Sequence, residues 1–151
     1  SSAVARPTNA QFLHYKQWQM DSLALGKLFL PALEKMAARI PQIRCTVLCT
    51  HDGFNICSLG LREDQVGKMA ALSSSLISVG QATANAVIVG DTLAPLDIIT
   101  MECAGVHTVV ATIPTAGNRL VLLVSSSAPL GAVLVGVKFG CANLMRLHSG
   151  K

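Results

Sequence analysis

Asp21 to Ile40, DSLALGKLFLPALEKMAARI, places apolar side chains at Leu25, Leu28, Phe29, Ala32, Leu33, Met36 and Ile40, the three-and-four spacing of one helix face. Lys27, Glu34, Lys35 and Arg39 fall largely on the other side. Pro31 predicts a kink or a two-piece helix there, and Pro41 a stop. IRCTVLCT, Ile43 to Thr50, is β-branched and reads as a strand; Asp52-Gly53 suits a tight primed turn, and FNICSLG returns as a second strand. A two-residue turn sets Cys57 opposite Leu48 and Cys49 opposite Ile56. Glu63 and Asp64 are acidic residues favourable at a helix N-terminus, and the next helix is expected from about Asp64 to about Ala86.

PLDIITMECAG and VHTVVATIPT read as strands meeting around Ala104-Gly105, and TAGN at Thr115 to Asn118 as a turn into RLVLLVSSS, the last strand. APLGAVLVGVKFGCANLMRLHS closes the chain as a helix. The order is therefore α-β-β-α-β-β-β-α. Strands joined by such short returns imply an antiparallel sheet with helices against it, an α+β domain. A chain of 151 residues fits one domain. It is expected over residues 20–148, after a disordered or weakly ordered lead at 1–19 and before a short tail at 149–151. The opening SSAVARPTNA has no apolar run of the signal-peptide kind.

The central helix poses the main question, because no charge stands between Lys68 and Asp91. Met69–Gly90 and Leu120–Val137 both approach the roughly 20 residues a bilayer requires. The first carries Ser73, Ser74, Ser75, Ser78, Gln81, Thr83 and Asn85, too polar for insertion, and Pro129 with three serines interrupts the second. Membrane insertion is therefore not expected. Within the helix, Met69, Leu72, Leu76, Val79 and Thr83 form a stripe expected to face the sheet. Ala70, Ser73, Ser74, Ile77, Gly80, Gln81 and Ala84 form a second stripe, small or weakly polar and uncharged. Small residues at this spacing let another backbone approach closely, either a partner helix or another element of the same chain. Partner contact is the favoured alternative.

Composition points the same way. Apolar residues make up 51% and charged residues 13%, about half the usual charged share, so some uncharged surface is expected to face another protein. The net charge of +4 is dispersed and aromatics are 4%, leaving neither a basic track nor stacking platforms for nucleic acid.

Candidate chemistry is sparse. Cys45, Cys49, Cys57, Cys103 and Cys141 show no CxxC and lie in apolar segments, as suits reduced, buried thiols of a cytoplasmic protein. Cys49, Cys57 and His51 share a hairpin, but no third group orients a base, and strand cysteines are usually core. Cys45 and Cys49 are about 13 Å apart on one strand face, too far to share an ion. His14, His51, His107 and His148 sit in different elements, and His107 reads as a half-buried strand residue. Asp97 and Glu102 fall on opposite strand faces. G-x-S-x-G, G-x-x-x-x-G-K-[ST] and G-x-G-x-x-G are all missing. Neither catalysis, a metal nor a cofactor is expected.

CTVLCTHDGFNICSLG, the uncharged MAALSSSLISVGQATANAV and LDIITMECAGVHTVVATIPTAGNRLVLLVSSSAPLGAVLVGVKFGCANLMRLH, in that order, resemble a bacterial Roadblock (dynein light-chain type) domain from roughly Met20 to His148. The resemblance lies in the strand-DG-strand hairpin, the Ala/Ser-rich central helix and the Leu-Gly opening of the last helix. It implies a profilin-like five-stranded antiparallel sheet of order 2-1-5-4-3, with the central helix on one face and the terminal helices on the other. It further implies dimers made by third strands meeting edge to edge and central helices pairing. On that basis the dimer contacts are expected at Ala70, Ser73, Ser74, Ile77, Gly80, Gln81 and Ala84 with Leu96, Ile98, Thr100 and Glu102. The implied function is a non-enzymatic homodimeric regulator or scaffold acting on a Ras-like small GTPase, as an activator in some members, in bacterial polarity, motility or secretion. The alternative is an assembly module with no GTPase. Arg44, Arg62 and Arg119 are available as exposed cations, but nothing assigns any of them as an arginine finger.

Overall fold

The computed structural model describes residues 9–88 and 94–149, with side chains from Leu23 onward. Three helices and five strands follow in the expected order: α1 (Asn9–Arg39), β1 (Ile43–Thr50), β2 (Asn55–Leu59), α2 (Glu63–Val87), β3 (Ile98–Cys103), β4 (Val106–Ile113), β5 (Leu120–Ser126) and α3 (Leu130–His148). All strand pairs are antiparallel, in one sheet of order β2-β1-β5-β4-β3.

α1 begins at Asn9 rather than Asp21, so residues 9–19 of the expected lead are helical, and residues 1–8 and 150–151 lie outside the described residues. Pro31 does not divide the helix. It sits on the exposed side, while Phe29, Leu33 and Met36 on both flanks of it are fully buried and hold the two halves to one core. A proline removes only its own N–H from the ladder, and a carbonyl on the outer face can turn to water instead.

Alternation along the strands feeds two cores. Leu48, Val109, Ala111, Ile113, Leu120, Leu122 and Val124 point to one face, where α1 and α3 pack. Val47, Cys49, Val110, Val121 and Leu123 point to the other, beneath α2. Strands covered on both faces carry continuous apolar runs, which is why LVLLV in β5 shows no polar alternation. α3 is long and apolar enough to cross a membrane by length and composition. Its Val133, Gly136, Val137, Gly140 and Leu144 are nevertheless buried in the α1-side core, with Gly136 against Ile40 and Gly140 against Met36.

Two turns set the register. Ala104 and Gly105 both take positive φ (52° and 77°), and the β3–β4 hairpin closes on those two residues as their position in the sequence predicts. The β1–β2 hairpin differs. Leu48 faces Cys57 as expected, but the register shifts between Leu48 and Cys49, and Cys49 faces Asn55 instead of Ile56. The loop spans four residues, His51 to Phe54, because the Thr50 hydroxyl accepts from Phe54 N–H (3.1 Å) and the Thr50 carbonyl from Gly53 N–H (3.0 Å).

Candidate protein interface

α2 starts where the acidic residues place it. Glu63 and Asp64 occupy its first turn, and the Gln65 side chain accepts from Arg62 N–H at 3.2 Å. Its orientation reverses the sequence expectation. Ala70 and Ser73 are fully buried, and Ser74, Ile77, Gly80, Gln81 and Ala84 are half-buried on the same side, against the sheet of their own chain. A side chain at Gly80 would strike Ile99 and Leu96, with a Cβ only 2.6 and 2.7 Å from their methyls. The Ala70 carbonyl accepts from the Cys49 thiol (3.6 Å), and Ser74 donates to the His51 carbonyl (2.5 Å). Gln81 accepts from Leu96 N–H (2.7 Å) and donates to the Ala94 carbonyl (3.0 Å), clamping the segment that leads into β3. The small residues thus serve close approach of the helix to the sheet of their own chain.

The outer side of α2 is Leu72, Ser75, Val79, Ala82 and Ala86, spaced three, four, three and four, all exposed, with Leu72 at 45% and Val79 at 66%. Of the stripe expected to face the sheet, Leu72, Val79 and Thr83 point away, and Met69 and Leu76 reach the core only at its margin. Asp64 and Lys68 lie in phase with the outer side, and their charges were the one sequence signal of which side meets solvent.

β3 is a sheet edge. The Asp97 carbonyl accepts from Thr112 N–H (3.0 Å). Alternation from that pair turns the peptide groups of Ile98, Thr100 and Glu102 outward, away from β4. Thr100 and Glu102 are exposed, Ile98 is half-buried against the α1-side core, and Leu96 is half-buried under Gly80. Glu102 lies 3.3 Å from His107, whose other ring nitrogen is 2.9 Å from the Ala128 carbonyl, so His107 is the half-buried strand residue expected.

The thiols divide. Burial pushes the Cys49 and Cys57 thiols up to about 12 and Cys141 up to about 11; it also raises Cys45, against a smaller opposing pull from Arg44. Cys57 is thus poorly suited to act as a nucleophile, and His51 pairs with its neighbour Asp52 (2.7 Å) at the exposed loop. Cys103, expected to be buried, is exposed at the end of the edge strand β3. Among the described residues no group of three His, Cys, Asp or Glu side chains could hold a metal. Of the three arginines, Arg44 is exposed, Arg62 pairs with Asp64 (3.2 Å), and Arg119 is half-buried rather than exposed.

No protein-family model matches the chain, and neither does any curated protein. Solved structures do. The Roadblock/LC7 domain from Streptomyces avermitilis is 25% identical, with a TM-score of 0.61 over 75% of this chain and 88% of that one. This chain has the Roadblock fold. The gliding protein MglB from Thermus thermophilus (19% identity, TM-score 0.68, covering 85% and 93%) and Myxococcus xanthus MglB (16%, 0.68, 83% and 90%) share the fold. On this Roadblock fold, the uncharged surface lies on the outer side of α2 and the outward main chain along β3.

Proposed function

We propose that the chain is a non-enzymatic, dimeric regulator or scaffold of the bacterial cytoplasm that acts on a Ras-like small GTPase in polarity, motility or secretion. The observation that carries this reading is an exposed helix side of Leu72, Ser75, Val79, Ala82 and Ala86 without a charge, in a domain that also leaves a strand edge open. Apolar side chains at three-and-four spacing are what a second helix packs against, and an open edge is what a second strand completes. A copy of the same chain supplies both at once. The fold shared with the gliding protein MglB supports the motility context, and the Roadblock resemblance supports the GTPase.

The test is co-purification with the small GTPases encoded beside this protein, followed by GTP turnover with and without it. Retention of one GTPase by the dimer is expected, with turnover changed if the protein is an activator and unchanged if it is a scaffold. Failure to retain any of them would leave the assembly module as the function.

A further inference from the structure

One flank of α2 and the end of the sheet carrying the β1–β2 loop enclose an open groove of about 560 Å³. Arg119, the residue that opens the chain into β5, stands in its lining. Among the described residues its guanidinium meets neutral oxygens, and at long range: the Leu96 carbonyl at 3.4 Å and the Thr112 hydroxyl at 3.5 Å. Among the described residues no carboxylate pairs with it, and none lines the groove. A half-buried cation gives up hydration that two weak contacts do not replace. Ser78 and Asn85 add groups able to donate around the same space, and the remaining walls include apolar Ile77 and Pro95. The floor is firm, because Gln81 fixes the backbone on both sides of Pro95.

We propose that this groove binds an acidic peptide segment of a partner protein, one carboxylate seated on Arg119 and a neighbouring apolar side chain against Ile77 and Pro95. A planar guanidinium takes a carboxylate through two parallel hydrogen bonds. A free phosphate would call for several converging cations or backbone N–H groups, and among the described lining residues Arg119 is the one permanent cation. The proposal does not rest on the GTPase reading, and the groove borders the outer side of α2 at Ala82.

The experiment titrates the isotopically labelled protein, followed by NMR, with three probes: a capped five-residue peptide with a central glutamate between leucines, its glutamine counterpart, and inorganic phosphate. The glutamate peptide should move the side-chain amide signals of Gln81 and Asn85 and the Arg119 Nε–H signal. The glutamine peptide should bind roughly tenfold more weakly, the size of one charge-assisted pair. Arg119→Gln should erase that preference, and Arg119→Lys, which keeps charge and fold but loses the planar fork, should reduce it. Equal binding of the two peptides by the unmodified protein, a preference that survives in Arg119→Gln, or the same shifts from phosphate at equal concentration would each overturn the proposal. Should Arg119→Gln fail to fold, the peptide comparison and Arg119→Lys still decide it.

Discussion

Gly60, just after β2, shows how single residues fix this domain. It takes φ +77°, and a Cβ there would overlap the Arg44 carbonyl and crowd the Cys45 Cα at 3.1 Å. Both obstacles are backbone, which cannot swing aside as a side chain can. Gly60→Ala should therefore destabilise the domain by about 2 kcal/mol or more, measured as a lowered denaturant midpoint. The thiols give a second residue-scale expectation. Cys103 should react first with a thiol reagent at neutral pH, with Cys49, Cys57 and Cys141 protected until the domain opens. Their raised values also set a sign. Unfolded thiols ionise near pH 9 while the folded ones stay protonated, so the unfolded chain holds fewer protons and stability falls as pH rises from about 9 toward about 12. Each such thiol contributes a loss of about 1.4 kcal/mol per pH unit within that window. Urea midpoints at pH 8 and pH 10 should separate, and replacing Cys49 or Cys57 by alanine should narrow the gap.

At the scale of elements, α2 decides what the sequence could tell. The strands and two of the turns were legible because β-branched runs and residues such as Gly53 and Gly105 have few other uses. The helix was legible too, but its facing was not. Ala70, Ser73, Gly80 and Ala84 permit a close approach, and that need is identical whether the neighbour is the protein's own sheet or a partner helix. Leu72 and Val79, the larger apolar residues, were expected inside by size, yet they are outside, where an assembly would cover them. The β1–β2 register escaped for a smaller reason: Asp52-Gly53 announces a turn but not the Thr50 hydroxyl that widens it to four residues. Facing predicts two classes of mutant. Ile77→Glu or Gly80→Glu puts a charge between α2 and the sheet and should lower thermal stability sharply, as buried unpaired charges do. Leu72→Glu or Val79→Glu should leave the melting of the monomer nearly unchanged while shifting the mass seen by light scattering from dimer to monomer. Stable, still-dimeric Val79→Glu would remove the outer side of α2 from the interface.

At the scale of the whole molecule, the sheet ends in two edges, β2 and β3, which differ in what they leave open to a further strand. β2 is five residues long, and α1 packs so closely on it that Gly26 has no room for a side chain beside the Ile56 carbonyl. β3 has six residues and no bulge against β4, and it turns the peptide groups of Ile98, Thr100 and Glu102 outward. Straight exposed edges invite a further strand unless a charge, a proline or a covering element blocks them. Glu102 is the one charge within β3, and its proximity to His107 ties it to β4. Two copies meeting here would run one sheet through both molecules, with an α2 of each on the same face, so strand pairing and helix pairing would support each other. Thr100→Pro isolates the strand contribution. Proline is tolerated at an edge where its missing N–H faces outward, so the β3–β4 ladder should survive and the monomer should fold. The variant should dissociate at concentrations where the unmodified protein is dimeric, and combining it with Val79→Glu should weaken association further. An edge that plays no part in assembly would leave the sedimentation profile of Thr100→Pro unchanged, and the dimer would then rest on α2 alone.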